Sequence, residues 1–282
     1  MRQDDVGDDA TMIPLKQKQR IQEQVQQGKV VCLTGAGISA ESGIPTFRGE
    51  GGLWDRYNPQ TYATPDGLLS VLRTRPHDLA NFIVDFYSVL LNAVPNPAHA
   101  ALACLEKDGL LEAIITQNID NLHQDAGSKN VVELHGNSFR LLCMGCQEKI
   151  KIAKDRMREF TQFLLRSKGS YMKVLETLSR YFPRCRCGSR YRIDIVMFGE
   201  ALPDEALHRA YQQLDACDTL LLVGSSFTVH PAASLPVYAK KKGAFLIEVN
   251  NESSELSHLC DVRIPYRASE AIPFLLNVIK GA

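Results

Sequence analysis

Four groups of residues in this 282-residue chain have types and spacing that suit chemistry. The first is sulfur. Of eight cysteines, four fall into two pairs, Cys143-x-x-Cys146 and Cys185-x-Cys187. A Cys-x-x-Cys turn brings two thiolates to one ion, and Cys-x-Cys does so with a tighter bite. In a reducing compartment such pairs read as metal ligands ahead of disulfides. Cys32, Cys104, Cys217 and Cys260 lie among apolar neighbours and read as small buried hydrophobes.

The second group is Gly35-Ala36-Gly37, which follows the apolar run KVVCLT (29–34). Glycines there let the backbone turn tightly and approach a pyrophosphate, with helix N-terminal amides facing it. A merely structural turn explains the same residues. A nicotinamide-dependent dehydrogenase also needs an acidic residue ending a second strand about 20 residues on. The segment in that place, PTFRGEGGLWDRY, is no buried strand, so hydride transfer is not expected. A ribose reader is sought instead in the C-terminal half. Gly224-Ser225-Ser226 ends one apolar run and Asn250 ends the next, and a carboxamide bonds ribose hydroxyls much as an acid does.

The third and fourth groups are Gln117-Asn118-Ile119-Asp120 and Glu133-Leu134-His135-Gly136, each at the end of a short apolar run. His135 stands out because a histidine near its ordinary pKa is the natural general base at neutral pH. The histidines at 77, 99, 123, 208, 230 and 258 read as structural.

These groups need a scaffold, and the apolar runs supply one. Strands are expected at 29–34, 112–118, 218–226 and 244–250. Helices are expected at 15–27, 97–108, 204–216, 231–242 and 269–280. Short strands alternating with helices imply a parallel sheet covered on both faces, a doubly wound α/β fold. Two stretches break the alternation. Residues 50–96 are rich in Gly, Pro and aromatics, then helical over Ala80–Leu91. Residues 142–189 hold both cysteine pairs. Between the pairs, residues 147–184 carry ten Lys/Arg against four acids, net +6, with apolar residues at helical spacing around Gly169. That reads as a helical hairpin with a solvated charged face.

Composition narrows the class. Basic and acidic residues balance at 32 each, and 45 % hydrophobic with 23 % charged residues rules out a disordered or collagen-like chain. With a pI near 7.0, no global electrostatic argument for nucleic acid or membrane remains. No apolar run approaches the roughly 20 residues of a membrane helix. The acidic start MRQDDVGDDA is not a secretory signal, so a soluble cytoplasmic protein is expected.

Taken in order, these residues resemble the sirtuins, NAD-dependent protein lysine deacylases, and the bacterial type among them. The matching strings are GAGISAESGIPTFRG (35–49), TQNIDNLH (116–123), ELHG (133–136), CMGC (143–146), FGEALP (198–203), GSSFTVHP (224–231) and EVN (248–250). The resemblance spans roughly residues 20–280. It implies a Rossmann-like NAD-binding domain from 15–49, 97–141 and 190–282. A small domain with a helical module and a zinc module would come from 50–96 and 142–189.

The resemblance also assigns roles. Gly35, Ala36, Gly37, Ser39, Thr46, Phe47, Arg48 and Trp54 match the loop that wraps NAD. Asn118 and Asp120 match the nicotinamide pocket, with Ile119 as its wall. Gln117 and His135 match residues at the ribose beside the scissile bond, and Asn118, Gln117 and His135 form the implied catalytic set. Gly224, Ser225, Ser226 and Asn250 match the adenosine-ribose site, and Ala268 an adenine contact. Tyr87, Val196, Phe198, Gly199, Glu200 and Val229 match positions around the acyl-lysine peptide. Cys143, Cys146, Cys185 and Cys187 match the zinc ligands.

The implied reaction takes an acylated lysine and NAD to free lysine, nicotinamide and O-acyl-ADP-ribose. A mono-ADP-ribosyltransferase or an NAD glycohydrolase is the alternative, and a non-enzymatic NAD-sensing module the third reading. The chain departs from the family in its short second cysteine pair, its long spacer, Thr46 in place of Asp, and Tyr266 in place of Gly. One sirtuin subclass that removes acidic acyl groups carries Tyr-x-x-Arg on the helix lining its acyl channel. Here Tyr87 is followed by Leu90 at the Arg position. Acetyl or long aliphatic acyl groups are therefore expected over succinyl.

Overall fold

The computed structural model describes residues 12–26, 28–45 and 53–281. Among them are nine strands: β1 (Val30–Thr34), β2 (Ala113–Thr116), β3 (Val131–Glu133), β4 (Gly136–Cys143), β5 (Lys149–Lys151), β6 (Tyr191–Ile195), β7 (Thr219–Val223), β8 (Phe245–Val249) and β9 (Val262–Ile264). Six of them make a parallel sheet in the order β3-β2-β1-β7-β8-β9. Every residue of β1, β2, β7 and β8 is buried. That is why their sequences, VVCLT, AIIT, TLLLV and FLIEV, are near-continuous apolar runs without alternation.

Helices cover both faces. On one side Leu15–Gln26, Pro97–Lys107 and Ala268–Lys280 bring Ile21, Leu102, Leu105, Ile272 and Leu275 onto Ile114, Leu221 and Ile247. On the other, Asp204–Asp215 and Ser234–Lys241 pack Leu214 and Leu235 against Leu33, Ile115 and Leu222. The chain builds outward from β1 to β3, then restarts beside β1 with β7 and builds the other way. The topological switch point therefore lies between β1 and β7, where such sheets leave a crevice at the strands' carboxyl ends.

The second sheet is antiparallel, in the order β5-β4-β6. It draws on residues either side of the boundaries expected at 141/142 and 189/190: β4 runs across the first and β6 starts just after the second. Its strands were not among those expected from the sequence. They carry charged residues, and the pairing of β4 with β6 joins segments some 50 residues apart. The helices Pro76–Asn92, Lys154–Arg166 and Tyr171–Tyr181 pack with this sheet around Phe160, Leu164, Val174, Phe139 and Leu141. The last two helices form the expected hairpin, turning at Gly169 with φ +71°. Among the described residues no helix is long and apolar enough to cross a membrane.

Candidate functional site

At the switch point the two glycine segments meet each other. Gly35 N–H donates to Val223 O at 3.0 Å, and Gly37 N–H to Gly224 O at 2.7 Å. A Cβ on Gly37 would lie 2.8 Å from Gly224 Cα, and one on Gly224 would lie 2.4 Å from Ile38 N. Gly224 also sits at φ +59°, in the left-handed region that disfavours side chains. The glycines thus permit backbone to approach backbone. The chain then enters a 3-10 turn, Ala36–Ser42. Because the Gly37 amide is already bonded within the protein, it is not one of the helix-end donors foreseen for a phosphate.

Around this floor stand the expected polar residues. Gln117 Nε2 donates to Ser225 Oγ at 3.0 Å, and Asn250 Nδ2 to Ser225 O at 3.1 Å, so β2, β7 and β8 present their ends together. Ser226 is exposed beside them. Ala268 opens the last helix and shares a core cluster with Ile38, and Ser269 N–H reaches Glu41. Thr46, Phe47 and Arg48 lie outside the described residues.

Beneath the crevice runs a buried hydrogen-bond chain. Ser39 Oγ donates to Asp120 Oδ2 at 2.7 Å, and Asn118 Nδ2 donates to Ser39 Oγ and to Gly35 O, both at 3.1 Å. Asp120 is 4 % exposed, and burial pushes its carboxyl pKa up against the opposing hydrogen bonds from Leu122 N–H and Ser39. Ile119 is buried next to it, and its carbonyl accepts from Ser138 N–H.

His99, which reads as structural in the sequence, joins the same chain. Asn96 N–H donates to His99 Nδ1 at 3.4 Å, so the ring proton is on Nε2, which faces Ser39 Oγ at 3.5 Å. His123 packs 4.9 Å from that ring and meets Thr34 Oγ1 at 3.0 Å. Burial lowers the pKa of His99 to about 4 and of His123 to about 3, so both are neutral. The sequence held one signal for His99: Asn96-Pro97-x-His99 reads as a helix N-cap followed by an N3 partner, and the structure shows that capping box.

His135 occupies the turn between β3 and β4. Its Nδ1 lies 2.8 Å from Gln117 O, and a carbonyl only accepts, so Nδ1 carries the proton and Nε2 keeps its lone pair. Burial lowers the His135 pKa, and the Gln117 bond partly opposes this. Val196 N–H donates to His135 O at 3.0 Å, which sets residues 196–199 beside the histidine.

The remaining expected residues divide. Phe198 is exposed, its N–H donates to Ala63 O, and its ring lies 6.3 Å from Trp54, so Trp54 reaches this strip. Gly199 turns at φ +86°. Glu200 faces inward as an ion pair, with Oε1 2.5 Å from Arg192 Nη1 and Oε2 accepting from Met197 N–H. It braces the loop. Val229 is half-buried, and its carbonyl accepts from Ala233. Tyr87 is buried, and its hydroxyl donates to Ser138 O at 2.9 Å. A separate cavity of about 840 Å³, lined by residues such as Tyr211, Phe227, His230 and Tyr238, contains none of the expected site residues.

The four paired cysteines converge. Cys143 and Cys187 sulfurs are 3.4 Å apart, Cys146 and Cys185 are 3.6 Å apart, and all four lie within 4.8 Å of one another. A tetrahedral Zn2+ with bonds of about 2.3 Å sets its sulfurs just under about 4 Å apart, so the donor set fits that ion despite the short second pair. The Ser189 amide holds the Cys187 thiol down, to about 6.

The Sir2 family profile matches residues 35–231. An NAD-dependent protein deacylase of Thermococcus kodakarensis is 43 % identical over 252 residues, covering 89 % of this chain and 90 % of that protein. An NAD-dependent protein deacetylase of Caldivirga maquilingensis is 42 % identical, covering 89 % of each. Among solved structures, a Sir2 homolog–NAD complex superposes with a TM-score of 0.75 at 35 % identity, covering 93 % of this chain and 94 % of the other. A Sir2–p53 peptide–NAD+ complex gives 0.73 at 32 % identity, covering 96 % and 100 %.

Proposed function

The chain belongs to the Sir2 family, and from that premise we propose how its residues perform NAD-dependent deacylation of protein lysines. The observation that carries the reading is His135, held in one tautomer by Gln117 O within the same loop cluster as the Asn118–Ser39–Asp120 chain. NAD, when bound, supplies an anomeric carbon that already bears a good leaving group, nicotinamide.

The protein's part is to hold and to move a proton. Gly35, Ala36 and Gly224 form the floor of the crevice, while Ser225, Ser226, Gln117 and Asn250 offer hydroxyls and amides to ribose oxygens. Asn118, Ile119 and Asp120 would hold the nicotinamide, and the Ser39 hydrogen bond fixes Asp120 so that its carboxyl could orient the leaving carboxamide. His135 Nε2 takes a proton from a ribose hydroxyl. Its lowered pKa keeps that lone pair free at neutral pH. Val196–Gly199 and Val229 supply main chain to an extended acyl-lysine peptide, a pairing that gives affinity with little sequence demand. The cysteine cluster would hold Zn2+ as a structural brace, and such thiolates suit a reducing, cytoplasmic compartment.

Mass spectrometry of NAD products, with and without a panel of acyl-lysine peptides, tests the reading. Nicotinamide release that needs the acyl peptide and yields O-acyl-ADP-ribose is expected. Release at the same rate without peptide would identify an NAD glycohydrolase instead.

A further inference from the structure

Below the His135 turn lies a charged cluster separate from the crevice and from the cysteines. Arg140 of β4 forks between two carboxylates: Nη1 is 2.5 Å from Glu133 Oε2, and Nε is 2.5 Å from Asp194 Oδ2. Their side chains are 21 %, 10 % and 5 % exposed, respectively. Glu133 ends β3, two residues before His135, and Asp194 lies on β6, two residues before Val196. Glu133 Oε1 also accepts from Gln124 Nε2 at 2.8 Å and from Asn137 Nδ2 at 2.5 Å. Gly136, at φ +80°, would place a Cβ 2.0 Å from Asp194 O, so this turn is already pressed against β6.

We propose that Arg140 is a positioning residue for His135. Its fork ties the end of the parallel sheet to β6 and clamps the turn 134–136 between them. A planar guanidinium serves both carboxylates at once, which the point charge of lysine does less well. Without it, two nearly buried carboxylates are left unpaired in one small space, and the turn must open to hydrate them. The inference rests on His135 being the base. The nicotinamide pocket around Asn118 and Asp120 is held by separate hydrogen bonds, so it should survive.

The test compares two activities in one protein: deacylation, and peptide-dependent exchange of labelled nicotinamide into NAD. Arg140→Gln, Arg140→Lys and His135→Ala are assayed beside the native chain. A small displacement of a catalytic group costs up to about a hundredfold. The ratio of deacylation to exchange is therefore expected to fall between about tenfold and about a hundredfold in Arg140→Gln. Arg140→Lys should fall in between, with KM for NAD within about twofold of native. If Arg140→Gln does not fold, Arg140→Lys decides alone. An unchanged ratio, or an equal loss of both activities, overturns the proposal. An unchanged ratio in His135→Ala would overturn the reading of His135 itself, and this inference with it.

Discussion

In the parallel sheet every residue of β1, β2, β7 and β8 is buried, whereas in the antiparallel sheet β5 is largely exposed and β6 buries only Asp194. The first sheet takes its shape from apolar contact on two faces. The second is held by helices on one side, by four converging sulfurs, and by the Arg140 fork. The candidate site straddles the two. Its glycine floor and its Ser39–Asn118–Asp120 chain belong to the parallel sheet, while His135 and Val196 sit at the join. Damage to the small sheet should therefore reach the base and the peptide strip before it reaches the cofactor crevice.

The largest expected effect tests the join directly. His135→Ala should cost about 10²–10⁴ in deacylation while leaving NAD binding nearly intact. Native-rate turnover by the purified variant would place the base elsewhere. On the parallel side, Gly224→Ala combines a left-handed φ with a backbone clash, a strain of about 1–3 kcal/mol or more. Both melting temperature and NAD affinity should drop, and unchanged NAD affinity would remove Gly224 from the crevice floor. On the other side, chelation should lower the melting temperature and deacylation together, since thiolate ligation is coupled to folding. NAD binding should outlast activity, and simultaneous loss of both would erase the distinction between the sheets. Elemental analysis well below one zinc per chain would dismiss the metal.

Smaller effects concern the acyl group and pH. The Tyr87 hydroxyl is already given to Ser138 O, Leu90 is buried among apolar side chains, and Arg56 is paired with Asp85. A succinyl carboxylate there would lose a charge-assisted partner and stay desolvated, so acetyl- or myristoyl-lysine should exceed succinyl-lysine by about tenfold or more in kcat/KM. A succinyl advantage would sink this preference. Stability should respond to His99 and His123, whose folded pKa values fall from 6.5 to about 4 and about 3. Both rings are neutral in either state above pH 6.5. Below it the unfolded chain takes up protons first, so stability is lost as pH falls from 6.5 towards 4. Thermal melts should show that slope, flattened in His99→Asn.

Much of this was legible in the sequence where one force acts alone. The apolar runs announced β1, β2, β7 and β8 because two-sided burial leaves no other pattern, and the hairpin around Gly169 kept a clear helical period. By contrast, β4 and β6 carry Arg140, Arg192 and Asp194 in mixed surroundings, and only their mutual pairing makes them strands. The site was legible as clusters at strand ends, but the partners of each residue were not. The ion pair of Glu200 with Arg192, for example, joins residues eight apart with no pattern to announce it. His99 looked isolated because the atom it faces belongs to Ser39, 60 residues away. The glycines mark a close approach of main chain, with Gly37 set against Gly224.

That contact has a thermodynamic corollary. Where Gly37 meets Gly224, the floor of the crevice consists of main chain and has no rotamers to freeze. Ordering side chains on binding commonly costs about 0.5–1.5 kcal/mol apiece. A floor made of peptide groups avoids that entropy loss, because its freedom was already given up when β1 and β7 paired.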